Sequence, residues 1–188
     1  MRRLPPGPHG LPPELVERNQ RERLIAAMAE VCGERGYAKS SVAEVAKRAG
    51  VSTASFYRQF KDKRECMLAS FNELFGRLLE AIEGACAAEV DVGAKGRAGV
   101  RIAATLLGDD PLTARLLSVE IVSVGTEGVR AQHEAIERLA ALLRGGDEAA
   151  TFDAAWAMAA AMTALVAKRT AEGRGPDATE LEALTEEL

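Results

Sequence analysis

Between Ser52 and Phe60 the chain reads S-T-A-S-F-Y-R-Q-F, and Thr53, Ser55, Tyr57, Arg58 and Gln59 crowd hydroxyls, a guanidinium and an amide into one short segment. Such groups donate to and accept from base edges and phosphate oxygens. A surface helix without a partner would more often carry Glu and Lys at these positions. Catalytic chemistry is harder to assemble. The two histidines, His9 and His133, have no His or Cys neighbours at metal-ligand spacing. The stretch "GAKGRAG" lacks the strand and the Gly-Lys-Ser/Thr ending of a phosphate loop, and no Gly-x-Ser-x-Gly elbow is present. The expectation is a chain that is not an enzyme, with no cofactor and no metal.

The polar set needs elements to present it. Phe56 and Phe60 lie four apart and turn inward on a short helix, which leaves Thr53, Ala54, Ser55, Tyr57, Arg58 and Gln59 to the outside. Just before it, Ser41 and Glu44 have the spacing of a reciprocal capping box at the start of "VAEVAKRAG". Val42, Val45, Ala46 and Ala49 form that helix's inner face, and Ala46 is small enough for the next helix to cross close above it. Gly50 ends the helix where a left-handed backbone is cheap for Gly alone. Val51 fills the gap between the two helices, and Ser52 caps the second. Two short helices joined in this way make a helix–turn–helix.

Charge supports the same division. The chain has 188 residues and a net charge of −4, yet residues 1–63 carry 12 Lys and Arg against 7 Asp and Glu, while residues 64–188 carry 12 against 21. A polyanion is therefore expected to meet the N-terminal third. No apolar run approaches the roughly 20 residues that span a bilayer. Paired arginines near the start are not followed by an apolar export segment, and Cys32, Cys66 and Cys86 are scattered, so reduced thiols and a cytoplasmic location are expected.

Helical periodicity runs through almost all of the chain from Glu14 onward, and no segment alternates as a strand does. The first 13 residues hold five of the seven prolines and form an arm rather than a helix. Arg2, Arg3 and His9 on that arm could enter a minor groove next to the helix–turn–helix. A first helix follows, with the seam Leu24, Ile25, Met28 and Cys32 and possible stops at Gly33 and Gly36. After the two short helices, a long one starts near Lys63 and is expected to fray near "DVGAKGRAG". Further helices are predicted at about 97–107, 111–124, 127–144 and 149–172, with a last short one near 178–187. The fold class is all-α: an N-terminal three-helix DNA-binding unit over 14–62, then a C-terminal helical bundle over 63–188 for effector binding and dimerisation. The boundary falls inside the helix that starts at Lys63, so no flexible linker is expected.

Taken together, "RERLIAAMAEVCGERGYAKSS", "VAEVAKRAGVS", the closing "FYRQF", and "KDK" with "KREC" at the start of the next helix closely resemble the DNA-binding domain of TetR/AcrR-type transcriptional regulators. The resemblance covers about residues 18–75 in detail, and beyond them only the helical layout. It implies that Thr53, Ala54 and Ser55 sit in the major groove and that Tyr57 lies on the backbone. Arg58 and Gln59 would stand at the groove edge, Lys63 would grip a phosphate, and Ser40 and Ser41 would offer contacts at a helix N-terminus. Ala54 departs from the Gly or Pro common there and can add little beyond contact with a thymine methyl.

The resemblance further implies a homodimer on a roughly palindromic double-stranded operator, a small-molecule effector, and no membrane partner. A ligand-responsive repressor is the expected function. The alternative is a helical small-molecule-sensing or protein-interaction module that no longer uses its helix–turn–helix for DNA. The segment 151–170 is apolar almost all round, with Phe152, Trp156, Ala159, Thr163 and Val166 on one side and Ala155, Met158, Met162 and Leu165 on another, so it needs cover from two directions. Within the bundle, the family layout implies an effector pocket from Phe71, Phe75, Leu78, Leu116, Glu120, Trp156 and Met162. Glu120 could orient a cationic or hydroxylated ligand there, or could sit part-exposed. His133 falls on a seam with Val129, Ile136, Ala140 and Leu143, as a core or interface residue.

Overall fold

The computed structural model describes residues 12–89, 92–144 and 152–177, together with 179, 181 and 183. Every regular element among them is helical. Helix α1 (Pro13–Arg35) begins with proline at its first position, where no amide hydrogen is needed, and ends at Gly36. Helix α2 (Val42–Ala49) and helix α3 (Thr53–Gln59) follow, then the long helix α4 (Lys63–Ala87). The second half is built from α5 (Val92–Asp109), α6 (Pro111–Arg115), α7 (Thr126–Arg144) and α8 (Phe152–Ala171). Between α6 and α7 the chain loosens and then tightens, through a π-helical stretch Leu116–Glu120 and a 3-10 turn Ile121–Val124.

Several sequence expectations change at this level. Gly33 does not stop α1. It is buried in the last turn, where a Cβ would lie 2.7 Å from the Leu112 side chain and 3.1 Å from its Cα, so α1 and α6 pack backbone against backbone. Burial in the second half of α1 also extends past the seam to Ala27, Ala29 and Val31. The burial is this broad because α2, α4 and α6 all pack against the helix. The stretch "GAKGRAG" is not a frayed end but the opening turns of α5, which packs along α4. The single helix expected at about 111–124 is three short pieces. The last predicted helix, near 178–187, lies mostly outside the described residues, as do the proline-rich arm through residue 11 and its Arg2, Arg3 and His9.

One connected apolar core joins Leu24, Met28, Val45, Phe56 and Phe60 to Met67, Phe71, Phe75, Leu116 and Ile121. Helix α4 runs through it without a break. A second, smaller cluster of Ala140, Ala155 and Ala159 seals α7 on α8. Alanine there lets the two helix backbones approach closely.

Candidate nucleic-acid interface and effector cavity

The helix–turn–helix is built by local rules. The Ser41 hydroxyl accepts from the Glu44 amide at 3.3 Å, and the Glu44 carboxylate accepts from the Ser41 amide at 2.9 Å. A further hydrogen bond from the Ser41 hydroxyl holds the Glu44 carboxyl below its ordinary range. At the other end Gly50 has φ +65°, its amide bonds Lys47 O at 3.0 Å, and the Val51 amide bonds Ala46 O at 2.9 Å. These two bonds are the Schellman arrangement, and they set the sharp turn into α3. Arg23 of α1 donates to the carbonyls of Ala49 and Gly50, fastening that turn to the first helix. Ser52 then caps α3, its Oγ accepting from the Ser55 amide at 3.0 Å.

On α3 the rings divide as the spacing requires. Phe56 is 0% exposed and Tyr57, edge-on to it at 5.5 Å between ring centres, is 58% exposed. Thr53, Ala54 and Arg58 are exposed, and Gln59 is half-buried. Ser55 is a correction: it is only 8% exposed, and its Oγ lies 3.0 Å from Ser52 Oγ while accepting from Arg58 Nη2 at 2.9 Å. Its position one residue before Phe56 turns it towards the helix–helix contact, where it steers Arg58 instead of facing outward. The outward set is thus Thr53, Ala54, Tyr57 and Arg58, joined by the exposed Ser41. Sequence reasoning passed over Lys39 and Lys61, both exposed and directly flanking this unit; their proximity in sequence to Ser41 and Phe60 was the available signal.

Ser40 and Lys63 hold the base of the unit together. Ser40 is buried, and its hydroxyl donates to Tyr37 O at 2.8 Å, so that hydroxyl is turned away from the outer surface. Lys63 donates to both Tyr37 O and Ser40 O at 2.8 Å, with its ammonium 4.1 Å from the centre of the Tyr37 ring. These bonds fix the start of α4 against the turn that leads into α2. Burial pushes the nearby Cys32 thiol up and pushes Cys66 up to about 12. On the outer side of α1 and α2, Arg48 bonds Glu30 and Glu34, and its guanidinium holds the Glu34 carboxyl below its usual range.

Within the bundle, α4 to α8 enclose an almost wholly apolar cavity holding about 820 Å³ of empty space, its open mouth included. Phe71, Phe75, Leu78 and Met162 line it, as the family layout implied. Leu116, Glu120 and Trp156 do not. Leu116 is buried in the core beside it, while Leu117, one residue on, faces the cavity. Trp156 lies half-buried about two turns before Thr163 on α8, packed against the Ala140–Ala155–Ala159 cluster, its ring 5.6 Å from that of His133. Glu120 is neither in the cavity nor part-exposed: it is 5% exposed and accepts from the Tyr37 amide at 2.7 Å and from Arg115 Nε at 2.9 Å.

The polar atoms at the cavity come from residues that sequence reasoning missed. Ser118 Oγ donates to Ala114 O at 2.7 Å, Gln132 Nε2 donates to Ser118 O at 3.3 Å, and Thr163 Oγ1 donates to Ala159 O at 2.8 Å. Their hydrogen-bonding capacity is largely spent on the wall itself. Gln132, Ala135, Ile136 and Leu139 of α7 line the cavity and Ala140 is buried against α8, so of the expected seam Ile136 and Ala140 face inward while Val129 and His133 are exposed. The helical period alone could not choose between two adjacent stripes of the same helix.

Comparison with known proteins follows from this geometry. The family model described as "Bacterial regulatory proteins, tetR family" matches residues 24–69, which span α1's second half through the first turns of α4. The fatty acid metabolism regulator protein of Bacillus subtilis (strain 168) is 38% identical over 61 residues, 32% of this chain and 31% of that protein. The match thus spans about a third of either length. The structure of the fatty acid degradation regulator FadR from Bacillus halodurans is similar with a TM-score of 0.78 at 22% identity, covering 89% of this chain and 93% of that one. The transcriptional regulator FadR from Bacillus subtilis, in complex with stearoyl-CoA, is similar with a TM-score of 0.69 at 22% identity, covering 88% and 95%. At such identities the structural likeness is one of fold.

Proposed function

Through residues 24–69 the chain belongs to the tetR family of bacterial regulatory proteins, and on that premise we propose that it is a dimeric, sequence-specific DNA-binding repressor released by a ligand with a long apolar chain. The observation that carries the DNA reading is α3 itself: Phe56 anchors it from below while Thr53, Ala54, Tyr57 and Arg58 stand on its outer side. Hydroxyls and a guanidinium so placed can meet base edges and phosphates at once. The positive balance of residues 1–63 supplies the sequence-independent attraction.

The dimer reading rests on α7 and α8, where Val129, His133 and Trp156 leave an incompletely covered stripe beside the Ala140–Ala155–Ala159 seam. A second copy laid against it would set two α3 helices about one DNA turn apart on a roughly palindromic site. Function on DNA then places the protein in the cytoplasm. The ligand reading rests on the cavity. Its walls are almost wholly apolar and offer a charged group no partner, so a charged end would have to stay outside. Both regulators of fatty acid metabolism or degradation to which the chain is similar fit a fatty acyl chain as the occupant. Phe71, Phe75 and Leu78 place α4 on that occupant, so filling the cavity would tilt α4 and change the spacing of the two reading heads. The coupling available to such a ligand is typically about 1–3 kcal/mol, set by its difference in affinity for the two shapes.

The test is selection of bound fragments from random duplex DNA, followed by titration of the selected duplex with salt and with stearoyl-CoA. Enrichment of a two-fold-related site, steep loss of affinity with salt and release by the acyl compound are expected. Binding of stearoyl-CoA with no duplex enriched would replace the reading with that of a ligand-sensing module.

A further inference from the structure

Glu120 is a buried carboxylate that the ligand cavity does not use. It reaches 83 positions back along the chain to take the Tyr37 amide, the first amide beyond the Gly36 cap of α1. Carboxylates do not gather at such a place by default. The carboxyl end of a helix carries partial negative charge, and burial strips the group of water, so both fields oppose it. What holds it is specific: the Tyr37 N–H on one oxygen and Arg115 Nε on the other. A contact balanced between strong opposing terms has a small net free energy, and a modest displacement can open it.

Its surroundings connect it to both ends of the molecule. Glu120 closes the π-helical stretch Leu116–Glu120, a geometry often associated with functional sites. Two residues of that same stretch, Leu117 and Ser118, form part of the cavity wall, and the Ser118 carbonyl accepts from Gln132 Nε2 of α7 at 3.3 Å within that wall. On the other side, Tyr37 is the point to which the DNA-reading unit is tied: its carbonyl accepts from both Ser40 Oγ and Lys63 Nζ, and Lys63 is the first residue of α4. A shift of the cavity wall at 117–118 therefore moves the carboxylate that pins the turn from α1 to α2.

We propose that Glu120 is the positioning residue through which occupancy of the cavity is felt at the helix–turn–helix: empty, the π-helical wall seats it on the Tyr37 amide; filled, the wall moves and the turn is released. The route is separate from, and additional to, the tilt of α4, and it rests on the ligand-responsive reading above.

The experiment uses the full chain and two variants, Glu120→Gln and Arg115→Gln. The second alters a side chain that is 41% exposed and keeps the question open to measurement should the first fail to fold. Amide hydrogen exchange of residues 36–41, without ligand, is expected to quicken by about tenfold or more in both variants. Affinity for the selected duplex is then read with and without stearoyl-CoA. The unaltered chain should lose about tenfold or more on adding it, and the variants less than about threefold, while their affinity for stearoyl-CoA itself stays within about threefold. A part that was merely structural would leave that ratio unchanged. Variants with the full ligand response, or with exchange at 36–41 as slow as in the unaltered chain, overturn the proposal. Should stearoyl-CoA leave DNA binding of the unaltered chain untouched, the acyl reading falls. Glu120 is then judged on exchange and on ligand-free DNA affinity, and its role falls too if neither changes.

Discussion

At the scale of single residues, the sharpest contrast is between Tyr57 and Ser55, two positions apart on one short helix. Tyr57 presents its ring and hydroxyl to the outside, whereas Ser55 spends its hydroxyl on Ser52 and Arg58. Tyr57→Ala is expected to weaken binding of the selected duplex at least several-fold, measured by fluorescence anisotropy. Its melting temperature should stay within about 2–4 °C, since a side chain that is 58% exposed contributes little to stability. The thiols carry a second prediction. Cys66 has its pKa raised from 9.0 to about 12 by burial, so the folded protein holds that proton more tightly than the unfolded chain. The resulting stability is fully present below about pH 9 and is lost as the pH rises towards 12. Urea midpoints should fall over that window, and Cys66→Ala should remove part of the fall. At pH 8, iodoacetamide should label the partly exposed Cys86 well before Cys32 or Cys66.

At the scale of elements, α1 and α4 decide the architecture. Helix α1 packs on α2, α4 and α6, and Gly33 is where the contact with α6 becomes possible. Gly33→Ala places a methyl group inside the Leu112 side chain and hard against its backbone. It should destabilise the protein by about 1–3 kcal/mol, read as a lower denaturation midpoint with unchanged slope. The α2–α3 pair was legible in the chain almost residue by residue, because capping boxes, Schellman turns and paired inward Phe are local devices. The pieces between α6 and α7 were not. The apolar run from Leu116 to Val124 is compatible with one regular helix, and only its seat between the cavity and α1 shows why it passes through a π-helical stretch and a 3-10 turn instead.

At the scale of the whole molecule, continuity of the core makes the two functional regions one mechanical object. Phe56 and Phe60 under α3 belong to the same cluster as Phe71 and Phe75 at the cavity, with the uninterrupted α4 between them. The chain is expected to sediment as a dimer. Trp156→Glu, on the stripe proposed to meet the second copy, should shift it towards monomer and lower affinity for a two-fold-related duplex far more than for a half-site. A Trp156→Glu protein that remained dimeric would move the interface elsewhere.

By itself the amino-acid order determined the all-helical class, the helix–turn–helix and its inward and outward faces at Phe56 and Tyr57, and the positive charge of the first third. Each depends on neighbours within a few positions or on composition. Tertiary structure alone decided where Glu120, Lys63, Ser40 and Trp156 spend their polar or aromatic groups, and which stripe of α7 faces the cavity. Those outcomes depend on partners as far as 83 positions away, and a periodic pattern carries no record of which distant backbone amide will lie within reach of a carboxylate once the helices have packed.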